Sequence, residues 1–207
     1  MPTRRQPSRR NDPEGMRRRV LDAAFSMFQT RGYNATSMQN LMQDIEVSGG
    51  ALHHHFPTKR SLALAVFEER VAPAVRATWI DPVRSAASFG QGVQIVFDDI
   101  IAGVEARGSI AGCPLNNLSM ELSLAERDFR TAAADIFREW QEALAERLRD
   151  TRAGRKMSKA ARAEVAAFVV AAYSGAMALA KAEQSSAPLR TAANTLRQWL
   201  KINEMDR

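Results

Sequence analysis

Three helix starts and three helix stops crowd into residues 12–58, and this punctuation constrains the fold more than any other feature of the chain. Asp12 is an N-cap residue followed by Pro13 and Glu14, a first-turn proline and an acidic first turn. Val20, Leu21, Ala24, Phe25 and Phe28 then recur at helical spacing until Gly32 ends the helix. Thr36-Ser37-Met38-Gln39 opens a second helix, with Thr36 and Gln39 spaced for a reciprocal cap and Met38, Leu41, Met42 and Ile45 as its apolar stripe. Val47-Ser48-Gly49-Gly50 makes a turn, Ser48 caps a third and very short helix, and Pro57-Thr58 stops that helix and caps a fourth. Three short helices thus fit within about 45 residues.

From Lys59 onward the helices lengthen. Leu62, Ala65, Val66 and the run to Val71 carry the fourth helix until Pro73, and Asp81-Pro82 and Phe89-Gly90-Gln91-Gly92 mark bends or loops. Val93, Val96, Phe97, Ile100, Ile101 and Val104 give a fifth helix with a wide apolar face, broken between Gly108 and Pro114. A short sixth segment runs through Leu115, Leu118, Met120 and Leu122. Ser123 with Glu126 reads as a capping box for a seventh helix, whose stripe includes Phe129, Ala133, Ile136, Phe137, Trp140, Leu144 and Leu148. Ser158 caps an eighth helix reaching Glu183, about 39 Å long. Pro188 sits in the first turn of a ninth, through about residue 203. No Val/Ile/Thr/Tyr alternation suggests a strand, so the fold class is all-α with about nine helices.

Charge divides the chain unevenly. Residues 1–60 carry 10 basic and 5 acidic side chains, leaving 19 basic and 18 acidic for residues 61–207. A basic end on a nearly neutral body suits a module for nucleic acid or another anionic surface, attached to a part with a different task. The expected division is a basic flexible arm over residues 1–12, a module for an anionic partner over 13–60 and a larger helical body over 61–207. A single cysteine, Cys113, excludes an intramolecular disulfide and a thiolate zinc cluster. No run of 18 apolar residues and no apolar stretch behind the charged start argue against a membrane span or a secretory signal, so a cytoplasmic location is expected.

A helix, a turn near Val47 to Gly49 and a second short helix inside the basic end form a helix-turn-helix arrangement. Ser48, Gly49, Gly50 and Ala51 are small, so the start of the third helix can approach a groove with its free N–H groups towards phosphate. His53, His54 and His55 offer donors on successive sides. They are about 100° apart and cannot converge on one ion, so no metal is expected. Beside phosphates, protonation of one of these rings would tighten DNA binding as pH falls from about 7.5 to 6. Short helix pairs with small turn residues also occur in helical proteins that never touch DNA.

Residues 14–66 resemble the DNA-binding end of the TetR family of bacterial repressors. The resemblance rests on A-x-x-x-F with Arg31-Gly32-Tyr33, Thr36-Ser37, Val47-Ser48, Gly50-Ala51-Leu52, His54-His55-Phe56 and Pro57-Thr58-Lys59. It implies a homodimer, an N-terminal helix-turn-helix domain, a helical effector domain closed by two C-terminal dimer helices, and repression of double-stranded operator DNA relieved by a small molecule. It places Thr36 and Lys59 on backbone phosphate, His54 at the groove and Phe56 in the core, with Ser37, Ser48, Gly49, Gly50, Ala51 and His53 completing the DNA-facing set. Gly49 departs from the lysine or similar contact residue frequent there, and His53 from a frequent tyrosine. Base preference is therefore not inherited. The Arg4, Arg5, Arg9 and Arg10 arm is either a second grip on DNA or a solvated tail.

In the larger part, Gly112-Cys113-Pro114-Leu115-Asn116-Asn117-Leu118 with Glu121 is similar to a G-C-x-x-x-N-x-x-x-E pattern in one branch of that family, where the fifth and sixth helices join. Two amides and a carboxylate among apolar residues need partners. With the aromatic and Met residues, the effector-pocket candidates are Trp79, Phe97, Cys113, Asn116, Asn117, Met120, Glu121, Trp140, Tyr173 and Met177. Cys113 is either an inert turn residue or a thiolate sensor of electrophiles or oxidants. Asp98 and Asp99 lie off the apolar face of the fifth helix, at a solvated edge.

The eighth helix has more apolar surface than one partner covers, and the ninth is amphipathic. The two together suggest a self-complementary interface through Phe168, Ala172, Gly175, Ala176, Leu179, Leu196, Trp199 and Leu200, or else burial within one chain. No G-x-S-x-G, P-loop, dinucleotide fingerprint or metal-spaced His/Glu pair points to an enzyme or a cofactor. The remaining alternative of another class is a helical interaction protein without DNA activity.

Overall fold

The computed structural model describes residues 12–205, so the Arg4, Arg5, Arg9 and Arg10 arm lies outside the described residues. Among those described, nine helices and a short 3-10 turn account for the regular structure. Helix α1 (Pro13–Arg31) begins where the Asp12 carboxylate accepts the Gly15 N–H at 2.9 Å, and it buries Val20, Leu21, Ala24, Met27 and Phe28 on one face. It ends at Gly32, whose φ of 89° suits a residue without Cβ.

Helix α2 (Met38–Ile45) is capped by Ser37, which accepts the Asn40 N–H at 3.0 Å. The reciprocal cap expected from Thr36 and Gln39 does not form. Thr36 is only 2% exposed and donates its hydroxyl to the Gly32 carbonyl at 2.8 Å, tying the turn back onto the end of α1. Helix α3 (Gly49–His55) starts at Ser48, whose side chain accepts the Ala51 N–H, and it is pinned to the core by Leu52 and the following Phe56. Thr58 and Ser61 cap α4 reciprocally.

Helix α4 spans residues 59–85 and contradicts the expectation that Pro73 ends it. Two π-helical turns, Phe67–Val71 and Arg76–Ile80, carry the chain past the two prolines. Each closes with an i to i−5 bond, Ala72 N–H to Phe67 O and Asp81 N–H to Arg76 O, and each is followed directly by a proline, Pro73 or Pro82. In an ordinary turn the proline ring would strike the carbonyl four residues back and leave it without a donor. Widening the preceding turn by one residue removes that conflict and keeps the helix going. The sequence shows the prolines but not this local remedy.

Beyond α4 come α5 (Phe89–Arg107), α6 (Pro114–Leu122), α7 (Arg127–Arg149), α8 (Lys159–Glu183) and α9 (Ala187–Ile202). At Gly92 a Cβ would lie 2.8 Å from the Val83 backbone, so glycine permits α5 to cross the end of α4 closely. Ser123 closes α6 rather than capping α7, which starts after Glu126 with no side-chain cap. Ser158 caps α8 by accepting the Ala161 N–H at 3.1 Å. Helix α8 packs between α7 and α9, burying Val165, Val169, Tyr173, Met177 and Ala180.

By length and composition, α8 is long and apolar enough to cross a membrane, although it holds no uninterrupted run of 18 apolar residues. Its inward face explains part of that character, and its outward face the rest. Phe168 is 50% exposed and Leu179 56% exposed; with Ala172 and Gly175 they stand at spacings of four, three and four residues, and the Trp199 ring of α9 lies 5.5 Å from that of Phe168. Three residues expected on this outer face are buried within the chain instead: Ala176, Leu196 and Leu200. Leu189, Ala193, Leu196 and Leu200 form the inward stripe of α9, and Ala192 and Trp199 flank it.

Candidate nucleic-acid interface and effector chamber

Helix α3 presents its outer side to solvent. Ser48, Gly50, His53 and His54 are exposed, and Gly49, Ala51 and His55 are partly covered. The face is low because its first residues are small, so the helix can approach another surface through backbone rather than long side chains. The His54 and His55 rings meet edge to face at 5.2 Å, while His53 Nδ1 lies 3.3 Å from the Pro57 carbonyl oxygen. Of the expected DNA-facing set, Ser37, Ser48, Gly50, His53 and His54 are exposed, and two other members are placed differently from the expectation. Thr36 is buried in the α1–α2 turn and has no free hydroxyl for a phosphate, whereas Ser37, at the exposed start of α2, does face solvent. Lys59 turns inward: its Nζ sits 4.1 Å from the centre of the Tyr33 ring and 3.5 Å from the Asn34 carbonyl oxygen. Partial burial lowers its pKa, opposed by the nearby Glu121 carboxylate.

Most basic side chains of the described N-terminal unit already have internal partners. Arg17 forms a bidentate pair with Glu69 of α4, which raises the arginine pKa and lowers the glutamate pKa. Arg19 donates to the Ile45 carbonyl, Arg31 lies 3.5 Å from Asp44, and Arg60 pairs with Glu126 and Asp128. These partners tie α1 to α2 and α4, and among the described residues they leave fewer basic side chains available to a polyanion than a count suggests.

The effector-pocket candidates separate into two groups. Trp79, Phe97, Trp140 and Tyr173 form an interlocked aromatic cluster, with Trp79 at 5.0 Å from Trp140, 4.8 Å from Tyr173 and 5.7 Å from Phe97. A small space of about 50 Å³ lies among Trp79, Cys113, Trp140 and Tyr173. The indole N–H of Trp140 is buried without a hydrogen-bond partner; that of Trp79 makes at most a weak contact with the Tyr173 hydroxyl, which slightly opposes the rise of that phenol's pKa. Burial pushes the Tyr173 phenol well above its ordinary range. It also pushes the Cys113 thiol up, against smaller lowering contributions from the backbone N–H groups of Asn116 and Leu115 and from Tyr173. That is the opposite of what a thiolate sensor needs, and Cys113 packs here as a small apolar residue. Met177 is buried at the edge of the cluster.

The second group faces the N-terminal unit. Asn117 Nδ2 donates to the Ala111 carbonyl at 2.8 Å and to the Gln29 carbonyl at 3.4 Å, and its Oδ1 accepts from Lys181 at 3.1 Å. Asn116 exchanges contacts with Ser174 of α8. Glu121 accepts the backbone N–H groups of Tyr33 and Asn34 at 2.8 and 2.6 Å. Met120 is 86% exposed and lines a solvent-open crevice of about 500 Å³ between α1 and α6, rather than an enclosed chamber. Gln29, Tyr33 and Lys181 complete this seam; Gln29 and Lys181 carry no signal in the sequence, and Tyr33 only a family motif, because nothing local marks a residue whose partner lies some 60 to 90 positions away. Asp98 and Asp99 are exposed, Asp98 accepting from Gln94.

An outward-facing short helix after a tight turn, set on a helical body with an aromatic interior, defines a helix-turn-helix protein. Residues 20–66 match the family model for bacterial regulatory proteins of the tetR family. Residues 90–195 match the C-terminal domain of LmrA/YxaF-like transcriptional regulators. The chain belongs to the TetR family of transcriptional regulators. It is 26% identical over 186 residues to the HTH-type transcriptional regulator LmrA of Bacillus subtilis (strain 168), covering 89% of this chain and 96% of that protein. It is 24% identical to the HTH-type transcriptional repressor DhaR of Mycobacterium sp. (strain GP1), covering 84% and 86%. A TetR transcriptional regulator from Chloroflexus aurantiacus J-10-FL has the same fold, with a TM-score of 0.78 at 22% identity over 91% of this chain and 96% of that one. The reduced form of E. coli NemR is similar, also at a TM-score of 0.78, with 21% identity over 89% and 96%.

Proposed function

We propose that this regulator works as a cytoplasmic, twofold dimeric repressor, without catalytic activity, that leaves its operator when a small molecule enters the aromatic chamber. The observation that supports the release step is the buried indole N–H of Trp140, which has no acceptor. A buried donor left unpaired costs about 1–3 kcal/mol, which a bound acceptor would recover. The chamber of about 50 Å³ is too small for most organic molecules, so occupancy must push its walls apart. Those walls include α4, which leads directly to α3, and α6.

The apolar outer face of α8 and α9, through Phe168, Ala172, Gly175, Leu179 and Trp199, supplies the dimer contact in this reading. Two α3 helices then enter successive major grooves about 34–36 Å apart on one side of the duplex, with Ser37, Ser48, Gly49, Gly50, Ala51, His53 and His54 at the contact. Lys59 reaches phosphate by swinging off Tyr33. A ligand that favours a different separation weakens DNA binding, and DNA weakens ligand binding by the same factor.

The test begins with selection of duplexes from a random pool by the wild-type protein, which should return an inverted repeat. Small apolar compounds that release the selected duplex should alter Trp79 and Trp140 fluorescence and bind DNA-free protein more tightly than the complex. Equal affinity for both forms would contradict the release mechanism.

A further inference from the structure

We propose that Glu121 is a positioning residue for operator binding: from α6 it holds the α1–α2 turn and so fixes how the helix-turn-helix sits on the body of the protein. The inference rests on the dimeric reading above. Tyr33 and Asn34 follow the end of α1, and their N–H groups have no helix to bond within. The Glu121 carboxylate takes both, Oε2 from Tyr33 at 2.8 Å and Oε1 from Asn34 at 2.6 Å. Charge-assisted bonds of this kind are the stronger ones, and a two-point grip sets orientation as well as distance.

The turn is shaped for that grip. Gly32 has a φ of 89°, and a Cβ at this position would lie 3.2 Å from Glu121 Oε2. Both the backbone angle and the missing side chain are needed for the carboxylate to come this close. Lys59 closes the turn from the far side, with its ammonium over the Tyr33 ring and near the Asn34 carbonyl. The Tyr33 ring is meanwhile wedged edge-on between Phe28 of α1 and Phe129 of α7.

Nothing within α6 explains a glutamate at this place. Glu121 is the next-to-last residue of the helix, where a negative charge faces the negative end of the helix dipole. Its partners lie wholly in the other unit. One turn earlier on the same nine-residue helix, Asn117 is tied to the Gln29 carbonyl, while Gln29 Nε2 donates to the carbonyl of Gly112, just ahead of the helix, at 3.1 Å. Cys113 and Leu115, at the start of α6, line the aromatic chamber. One short helix, about 13 Å long, therefore joins the chamber wall to the turn that leads into the DNA-reading helices.

A loosened grip would let each helix-turn-helix take a range of orientations. Binding of one half-site tolerates that, but simultaneous binding of two does not. The experiment compares the wild-type protein, Glu121→Ala, Glu121→Gln and the control Leu124→Ala, which alters a nearby side chain that is 97% exposed. Each is titrated on the duplex selected by the wild-type protein and on a duplex with one half-site scrambled, with amide hydrogen exchange at Tyr33 and Asn34 read in parallel.

Glu121→Ala should lose about ten-fold in affinity for the intact duplex while changing less than about two-fold on the single half-site. Its Tyr33 and Asn34 amides should exchange faster. Glu121→Gln should fall between, and Leu124→Ala should match wild type. An unchanged ratio between the duplexes, with both amides still protected, overturns the role of Glu121. Equal losses on both duplexes would make Glu121 a support of the fold alone and overturn it as well. If the wild-type protein does not prefer two half-sites, the dimeric reading fails instead, and amide exchange in Glu121→Ala still decides whether the carboxylate holds the turn.

Discussion

Helices α3 and α6 are both short, seven and nine residues, yet they are held in different ways. The first is pinned from beneath by Leu52 and Phe56, and its outer side makes few contacts with the rest of the chain. The second buries Leu115, Leu118 and Leu122, but is also bonded through Asn116, Asn117 and Glu121 to α8, α1 and the α1–α2 turn. Apolar pinning fixes how deep a helix sits and leaves its face open for a partner. Polar ties fix direction and register, because each works only over a narrow range of distance and angle. A surface that must read DNA needs the first arrangement, and an element that must transmit a displacement needs the second.

The largest effect expected from this contrast is on the pinned helix. Phe56→Ala should cost about 3–5 kcal/mol of stability in the N-terminal unit, since its ring fills the space under α3 and beside Arg17. Urea unfolding followed at the His53–His55 amides should report this loss. If the α3 amides are no less protected than in wild type, apolar pinning is not what holds the helix.

Gly32→Ala should cost about 1–2 kcal/mol, because an L-residue is strained at this φ and its Cβ crowds the Glu121 carboxylate. In Glu121→Ala the crowding part of that cost should shrink, which a double-mutant cycle by thermal melting measures. Strict additivity would mean that the carboxylate and the turn are not coupled.

The chamber side of α6 gives a pH-dependent test. Burial raises the Cys113 pKa, so the folded chain keeps a proton that the unfolded chain loses above about pH 8.5. The contribution is fully present below that value and declines as pH rises through it, so wild type should lose stability relative to Cys113→Ala in alkaline buffer. Alkylation of Cys113 in the folded protein should stay slow up to about pH 9 and speed up in urea. Fast alkylation at neutral pH would restore the sensor reading.

The smallest effect belongs to the open face of α3. Replacing His53 and His54 together by alanine should weaken operator binding by a few-fold at fixed pH and salt. An unchanged gel shift would remove the histidines from the contact.

The same contrast decides what could be read from the sequence. Asp12, Ser48, Thr58 and Ser158 were legible as caps because a cap and its target lie within three residues. The inward stripes of α1, α5 and α7 were legible because helical period alone sets them. Thr36 and Ser37 are both good cap residues, and only the turn back to Gly32 decides that Ser37 takes the role. Pro73 looked like a stop because the π turn that accommodates it has no residue signature. On α9, which of two apolar faces meets the body depends on α5 and α8, so Leu196 and Leu200 were assigned to the wrong side. Glu121 was recognisable as unusual among apolar neighbours, but its partners lie 87 and 88 residues away and no local rule points to them.

The most direct test of α6 as one strap between chamber and DNA-reading turn is amide exchange in Asn117→Ala. This substitution cuts the ties to Gln29, Ala111 and Lys181 and leaves Glu121 untouched. If the helix acts as a unit, exchange at Tyr33 and Asn34 should quicken about ten-fold, although neither contacts the altered side chain. If exchange quickens only around Gln29 and Gly112 and stays unchanged at Tyr33 and Asn34, the ties are independent and α6 does not carry the signal.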